Sequence, residues 1–179
     1  MKYRRVYVNG GTYFFTAVTY IRQPILNSQS SFDLLNDAIK YTANQMPFEV
    51  IAYVVMPDHM HFIWTLPEDS SDFSTRWRLL KSYFTRNWCK KQIVSSSASR
   101  KMKGEKDVWQ RRFWEHLISD EADLTRHVEY IHDNPIKYGF VDCAINWKYS
   151  SFTDYVRKGL YPKNWGEGIK LRSGDGFMK

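Results

Sequence analysis

Cysteine is scarce in this chain of 179 residues. Cys89 and Cys143 are the only two, and they form no Cys-x-x-Cys pair. A disulfide framework and a zinc knuckle are therefore excluded, because both need several cysteines at short spacing. Two isolated thiols are typical of a reducing compartment, and we expect a cytoplasmic protein.

Long apolar runs are also missing, although 43% of the residues are hydrophobic. No stretch approaches the ~18 apolar residues of a membrane helix, which excludes a transmembrane protein. No apolar segment with a small-residue cleavage site follows the basic start at 1–5, so we expect no secretory signal. The length and the apolar content fit one domain with a hydrophobic core.

Acidic residues are rare in one part of the chain. Between Arg76 and Arg112, twelve lysines and arginines are accompanied only by Glu105 and Asp107. The formal charge of the whole chain is +7, so its basicity is concentrated in this block. Such a block suits a polyanion such as nucleic acid. A solvated basic face without a ligand is the alternative interpretation.

Hydrophobic periodicity predicts the secondary structure. The predicted order is strand 12–20, a helix capped by Ser30 or Ser31, strands 48–55 and 59–66, a helix from Asp72, strand 113–118, and helix 121–133 ended by Pro135. This order predicts an α+β, ferredoxin-like split βαβ fold, with a four-stranded antiparallel sheet and helices on one face. We expect a domain over 1–156 with a mobile basic loop inserted at 94–107, and a partly flexible tail over 157–179.

His59-Met60-His61 is the first candidate site. On a strand, residues i and i+2 point to the same face, so both imidazoles project side by side and Met60 points away. Adjacent imidazoles are poor core residues because each needs polar partners, but they suit a divalent metal. A pair of half-exposed surface histidines is the alternative interpretation.

The last predicted helix supplies two further candidates. Tyr130 and Asn134 are four residues apart, so they lie on one flank of that helix beside its apolar stripe. The amide oxygen of Asn134 can bind a hard cation. The phenol of Tyr130, with an ordinary pKa of about 10, can act as a nucleophile where a base or a cation lies near. An ordinary helix-surface tyrosine is the alternative.

Together these segments resemble a known family. His59-Met60-His61 is similar to the His-hydrophobic-His motif of the HUH single-strand endonucleases. The segment 130–135 resembles the Tyr-x-x-x-Asn-Pro segment of single-tyrosine transposases, most closely the REP-associated tyrosine transposases. Other motifs in family order are Gly11–Thr16, Val55–His61, Phe73–Trp77 with Lys81, 84–86, Trp109–His116, and Trp147 with 149–151.

The resemblance implies a metal-dependent enzyme that cleaves and transfers single-stranded DNA. His59, His61 and Asn134 would bind Mg²⁺ or Mn²⁺, and Tyr130 would form a 5′-phosphotyrosine link. The implied substrate carries a hairpin of the REP palindrome type, and the implied location is the nucleoid. The residues that would bind DNA are Lys2, Arg4, Arg5, Arg76, Arg78, Lys81, Arg86, Arg100, Lys101, Lys103, Arg111 and Arg112.

Three further histidines are less informative. His127 and His132 lie near the predicted site, and we expect solvent exposure for them rather than a supporting role. His116 matches a family position for which the residues suggest no function.

Two other functions stay open. The basic block and the 17% aromatic content also fit a protein that binds single-stranded nucleic acid without cutting it. Replication initiators and relaxases use the same motif, but they are usually larger or carry a third metal-binding histidine. The sequence also leaves open whether the protein is a monomer or a homodimer that exchanges its tyrosine helix.

Overall fold

The computed structural model describes residues 5–92, 94 and 96–167. The strands within these ranges are β1 (Thr12–Val18), β2 (Glu49–Val55), β3 (His59–Thr65) and β4 (Trp114–Leu117). The α-helices are α1 (Gln29–Gln45), α2 (Phe73–Lys91), α3 (Ala98–Lys101), α4 (Glu121–Lys137) and α5 (Phe152–Arg157), with short 3-10 helices at Tyr20–Arg22 and Ala144–Asn146. No helix in this part of the chain is long and apolar enough to cross a membrane.

The strands form one antiparallel sheet in the order β2-β3-β1-β4. The connection through α1 joins β1 to β2 with β3 between them, and the connection through α2 joins β3 to β4 with β1 between them. This is the double split βαβ arrangement, and the predicted ferredoxin-like α+β fold is confirmed. The two central strands, β1 and β3, therefore carry neighbours on both sides.

Three side chains cap the main helices where the backbone N–H groups lack partners. Asp72 caps α2, at the predicted start of that helix, and Asp120 caps α4, directly before the predicted helix 121–133. Ser28 caps α1, which corrects the predicted cap at Ser30 or Ser31. The reason is a reciprocal pair of bonds: the Ser28 hydroxyl accepts from the Ser31 N–H, and the Ser28 N–H donates to the Ser31 hydroxyl.

One face of the sheet packs against α1 and α2. Phe15 of β1 and Trp64 of β3 point into this core, and both are fully buried. Trp64 stacks on Trp77 of α2 with ring centroids 4.5 Å apart. Met60 lies in the same core, as the alternation along β3 predicted.

The opposite face packs against α4, so the prediction of helices on one face only is wrong. Phe14 of β1 and Ile63 of β3 form a second core with Val128 and Ile131 of α4. The reason is that both central strands bury side chains of both parities, so each face of the sheet needs a cover. As a result, α4 covers the face of the sheet on which His59 and His61 lie.

The helix α4 continues through Pro135 to Lys137, whereas the sequence predicted that Pro135 would end it. Proline inside a helix costs about 3 kcal/mol, through a lost hydrogen bond and a steric clash. Here Pro135 is buried, and Ile136 packs on Ala144 and Phe152 in a third apolar cluster. Tertiary burial therefore overrides the local preference, and Asn134 lies inside the helix rather than at a frayed end.

Segment 94–107, predicted as a mobile loop, contains α3 and is tied to the domain where the structure describes it. The buried Arg100 guanidinium donates to the carbonyl oxygens of Lys106 (2.9 Å) and Trp109 (3.1 Å), and it pairs with Asp107 at 3.2 Å. Through these contacts, Arg100 in the middle of the segment holds its C-terminal end and connects it to Trp109.

The first part of the predicted tail also packs on the domain. Trp165 donates from Nε1 to Oδ1 of Asp133 on α4 at 2.8 Å, and its ring lies 4.4 Å from that of Tyr161. Residues 168–179 lie outside the described part of the chain. The predicted boundary near 156 stays a prediction.

Candidate active site

His59 and His61 lie side by side on the face of β3 that looks toward α4. The ring centroids are 5.0 Å apart, and both side chains are almost completely buried. The Nδ1 of His61 shares a 2.8 Å hydrogen bond with the Thr16 hydroxyl, which the β1–β3 register places directly opposite. Burial and the neighbouring His59 lower the pKa of His61 well below its ordinary value, so its ring is neutral.

The ring of His59 is held by a carboxylate from the preceding turn. Its Nδ1 lies 2.6 Å from Oδ1 of Asp58, and the other oxygen of Asp58 accepts from Arg22 at 2.9 Å. Hydrogen bonds from His59 and Arg22 lower the pKa of Asp58 against the opposing effect of burial. A carboxylate on one ring nitrogen fixes the imidazole so that its other nitrogen can bind a ligand.

Arg22 stands in an uncommon backbone conformation. It and Ile21 have φ values of 56° and 45°, in the left-handed region that β-branched residues such as isoleucine rarely adopt. Such strain persists where the surrounding structure demands it and is frequent at functional sites. Here it brings the Arg22 guanidinium to Asp58.

The helix α4 brings Tyr130 to the imidazole pair and carries Asn134 one turn further along the same flank. The Tyr130 ring centroid lies 5.3 Å from that of His61, in an edge contact. Asn134 is fully buried, and its Nδ2 donates to the Tyr130 carbonyl at 3.3 Å. Burial raises the pKa of the Tyr130 phenol, and a hydrogen bond from the Asn134 side chain partly offsets this rise.

Two buried acceptors in this site lack a hydrogen-bond donor among the described residues: His61 Nε2 and Asn134 Oδ1. A buried polar atom without a partner costs free energy, so the site is built for something that satisfies both atoms. Imidazole nitrogen and amide oxygen both bind divalent metals. The residues present therefore fit a divalent ion.

Comparisons with known proteins identify the family of this chain. The sequence profile of the family described as "Transposase IS200 like" matches residues 7–134. The chain belongs to this family. A protein named REP-associated tyrosine transposase, from Escherichia coli (strain K12), is 43% identical over 169 residues, which cover 94% of this chain and 92% of the relative.

A solved structure of a transposase has the same fold as this chain. It is described as "Structure of the REP associates tyrosine transposase bound to a REP hairpin", and it has a TM-score of 0.78 and 39% identity to this protein. The alignment covers 100% of this chain and 99% of that chain. The resemblance stated from the sequence is confirmed, and this protein is an enzyme of the tyrosine transposase type.

Of the four predicted site residues of the transposase, His59 lies beside His61, His61 contacts Tyr130, and Asn134 is hydrogen-bonded to the Tyr130 carbonyl. The alternation on β3 and the four-residue spacing on α4 predicted each pair separately, and the packing of α4 on the sheet joins them. Sequence reasoning missed Thr16, Asp58 and Arg22. Asp58 had a usable signal, since an acid next to a histidine motif is a common orienting partner. The other two depend on strand register and on a turn.

The predicted DNA-binding residues divide into four groups, of which the last is the buried pair Arg76 and Arg100. Lys2 and Arg4 lie outside the described part of the chain. Arg5 and Lys81 are half-buried: Arg5 pairs with Glu115 at 3.2 Å, and Lys81 donates to the Gln110 carbonyl at 3.0 Å. The exposed residues, which stay candidates for phosphate contacts, are Arg78, Arg86, Lys101, Lys103, Arg111 and Arg112.

Two predicted DNA contacts are corrected by the structure. Arg76 is 2% exposed and Arg100 is 8% exposed, so neither guanidinium is accessible to a phosphate. Arg76 donates to the carbonyl oxygens of Pro47 (2.7 Å) and Asp72 (2.8 Å), and Arg100 anchors α3 as described above. Both side chains stabilise the fold, because each joins separate segments through backbone carbonyl groups.

His127 and His132 are buried, which corrects the expected solvent exposure. His127 lines a cavity of about 470 Å³ between β4 and α4, together with Tyr130, His116 and Asp123. His132 points elsewhere, toward Phe152, and shares a 3.0 Å hydrogen bond with the Ser151 hydroxyl.

Burial lowers the pKa of His132 to about 4. The unfolded chain binds this proton near pH 6.5, so the native state loses stability as the pH falls from 6.5 toward 4. His132→Gln can keep the bond to Ser151 but does not titrate. Over this pH interval we expect the unfolding free energy of wild type to fall by up to ~3 kcal/mol more than that of His132→Gln. Urea unfolding at several pH values measures the difference. Identical pH profiles would show that His132 is not buried in its neutral form.

Proposed function

We propose that this transposase cleaves and rejoins single-stranded DNA beside a hairpin of the REP type, through a covalent link to Tyr130. One observation carries the proposal: the Tyr130 ring of α4 lies in edge contact with the buried His61 of β3, which stands beside His59, and the buried Asn134 follows one turn further along α4. A phenol beside three metal-binding side chains is suited to phosphoryl transfer, where positioning and charge stabilisation supply most of the catalysis.

The proposed cleavage step is an in-line displacement. The Tyr130 oxygen forms a bond to phosphorus, the bond from phosphorus to the 3′-oxygen breaks, and the phenolic proton passes to that oxygen. The products are a 5′-phosphotyrosine and a free 3′-OH. A second 3′-OH reverses the step and joins the strands, so no nucleotide cofactor is consumed.

His59, His61 and Asn134 would hold the divalent ion, Mg²⁺ or Mn²⁺. When bound, such an ion offsets charge on the transferring phosphate and favours the ionised phenol. The protein groups prepare this site without it. Asp58 orients one imidazole, Thr16 orients the other, and burial keeps the His61 ring neutral. A neutral imidazole is the form that binds metal.

The hairpin substrate is inferred from the relatives, whose names include the REP element and one of which is bound to a REP hairpin. The exposed cations of the basic block would bind its phosphates, which give affinity and salt dependence.

The four site residues come from a single chain, so we propose that one protomer is a complete catalytic unit, whether alone or in a homodimer. We propose that the protein is located in the cytoplasm, at the nucleoid.

The experiment uses a hairpin oligonucleotide with single-stranded flanks, labelled at the 3′ end or at the 5′ end. We expect a denaturation-resistant adduct with Mn²⁺ that carries the 3′ label, while the 5′-labelled fragment is released. EDTA should prevent both products, because the site then lacks its ion.

Each other outcome contradicts a definite part of the proposal. Tight hairpin binding without an adduct would favour the non-catalytic binding protein. An adduct that carries the 5′ label would reverse the polarity of the link. An adduct that forms equally in EDTA would remove the metal from the reaction.

A further inference from the structure

We propose that His116, Asp123 and His127 form a second metal site, which takes a divalent transition-metal ion such as Zn²⁺. The three side chains come from β4 and α4, and one ligand atom from each lies within 4.8 Å of the others. None of them belongs to the set His59, His61 and Asn134. The inference therefore stands independently of the proposed function.

The chemistry of the three groups suits a metal. Asp123 accepts hydrogen bonds from the Ser119 N–H and from the Arg126 guanidinium, both at 3.0 Å, and an aspartate carboxyl is ordinarily an anion at neutral pH. His127 lies one helical turn further along α4, on the same flank. Two imidazoles and one carboxylate make a frequent three-ligand set for zinc, with the fourth position open.

The positions of the rings agree with this assignment. His116 Nε2 lies 2.8 Å from Asp123 Oδ2, and the His127 ring is held by its Nδ1, 2.8 Å from the Asp123 carbonyl oxygen. Zinc ligands at ~2.0–2.1 Å in tetrahedral geometry lie roughly 3.3–3.4 Å from one another. The first pair must therefore separate by only about half an ångström to admit the ion. A ring fixed through one nitrogen by a carbonyl is typical of metal-binding histidines.

The surroundings leave room for a fourth ligand. All three side chains line the cavity of about 470 Å³ between β4 and α4. Arg126 donates to Asp123 at 3.0 Å, but its side chain is 64% exposed and can move into solvent. Tyr130 lines the same cavity, so an ion here would place positive charge near the nucleophile and would join the edge strand β4 to α4.

The alternative is a hydrogen-bonded Asp–His pair in which a proton occupies the place of the metal. The two interpretations differ in the number of zinc ions that the folded chain binds. Calorimetric titration of chelator-stripped full-length protein with ZnCl₂, without DNA, measures this number. Far-UV circular dichroism with each variant shows that the fold is retained.

We expect two zinc equivalents for wild type and one for His61→Ala, which damages only the site on β3. His116→Ala should likewise bind one zinc equivalent. The double variant, which combines His61→Ala with His116→Ala, should bind none. His116 is the least buried of the three ligands, so its replacement disturbs the fold least. Asp123→Asn is the second variant, and it should weaken the remaining zinc site of His61→Ala at least tenfold. Co²⁺ should give a tetrahedral absorption spectrum with His61→Ala that is lost in the double variant.

Two results would overturn this inference: no zinc bound by folded His61→Ala, or equal zinc binding by His61→Ala with and without His116→Ala. Neither result bears on the covalent adduct, whose absence would contradict only the proposed function. Zinc bound at one equivalent by wild type and lost with His61→Ala would leave the cluster as a purely hydrogen-bonded pair.

Discussion

Replacing Tyr130 by phenylalanine is expected to abolish the covalent DNA adduct, with a loss of at least ~10³-fold in cleavage rate, since the proposed nucleophilic oxygen is removed. The change removes one oxygen and leaves the ring in its edge contact with His61. Hairpin affinity should stay within about twofold, because phosphate contacts elsewhere supply most of the binding. Denaturing gels measure the adduct, and fluorescence anisotropy measures the affinity.

The matched control is Tyr138→Phe. Tyr138 stands at the end of the same helix, 53% exposed, with its ring 5.5 Å from that of His59. It is the tyrosine that could replace Tyr130 as the nucleophile if α4 moved. We expect Tyr138→Phe to keep the adduct. An adduct that survives in Tyr130→Phe and disappears in Tyr138→Phe would assign the nucleophile to Tyr138 instead of Tyr130.

The side-chain placements that the sequence predicted for the candidate site depend on local periodicity. Alternation on a strand pairs His59 with His61, and the helical repeat pairs Tyr130 with Asn134. Both rules act over a few residues, so they hold wherever the secondary structure is right. The fold followed from the order of the same elements, because few topologies accommodate a βαββαβ order.

The parts that the sequence could not predict depend on contacts between distant segments. Thr16 lies 45 residues from His61 in the chain and reaches it only through the register of β1 on β3. The continuation of α4 past Pro135 has the same origin, since burial of Ile136 against the chain beyond it outweighs a local preference. No window of neighbouring residues contains this information.

Charge counting failed for a related reason. A block of twelve cations shows that a basic surface exists, but it does not show which side chains form that surface. Arg76 follows the apolar stripe of α2 into the junction between α1 and β2, whereas Arg78 lies two residues further on and points outward. The 3.6-residue repeat distinguishes them, because residues two apart lie on nearly opposite sides of a helix.

Arg76→Met is expected to lower the stability of the protein by about 2–4 kcal/mol, because the buried carbonyl oxygens of Pro47 and Asp72 lose their charged donor. For a chain of this size that corresponds to a fall in Tm of roughly 5–15 °C. Once folded at low temperature, the variant should bind the hairpin as wild type does, with an unchanged salt dependence. Calorimetry and salt-dependent anisotropy measure the two effects.

Arg78→Met is the matched control, since it removes the same charge from the exposed side of the same helix turn. Its stability should stay within about 0.5 kcal/mol of wild type, because surface changes seldom cost more. If Arg78 binds a phosphate, its loss weakens hairpin binding and reduces the slope of log affinity against log salt by about one. The opposite pattern, with lost DNA affinity in folded Arg76→Met and lost stability in Arg78→Met, would contradict the burial of the first guanidinium and restore it to the DNA-binding surface.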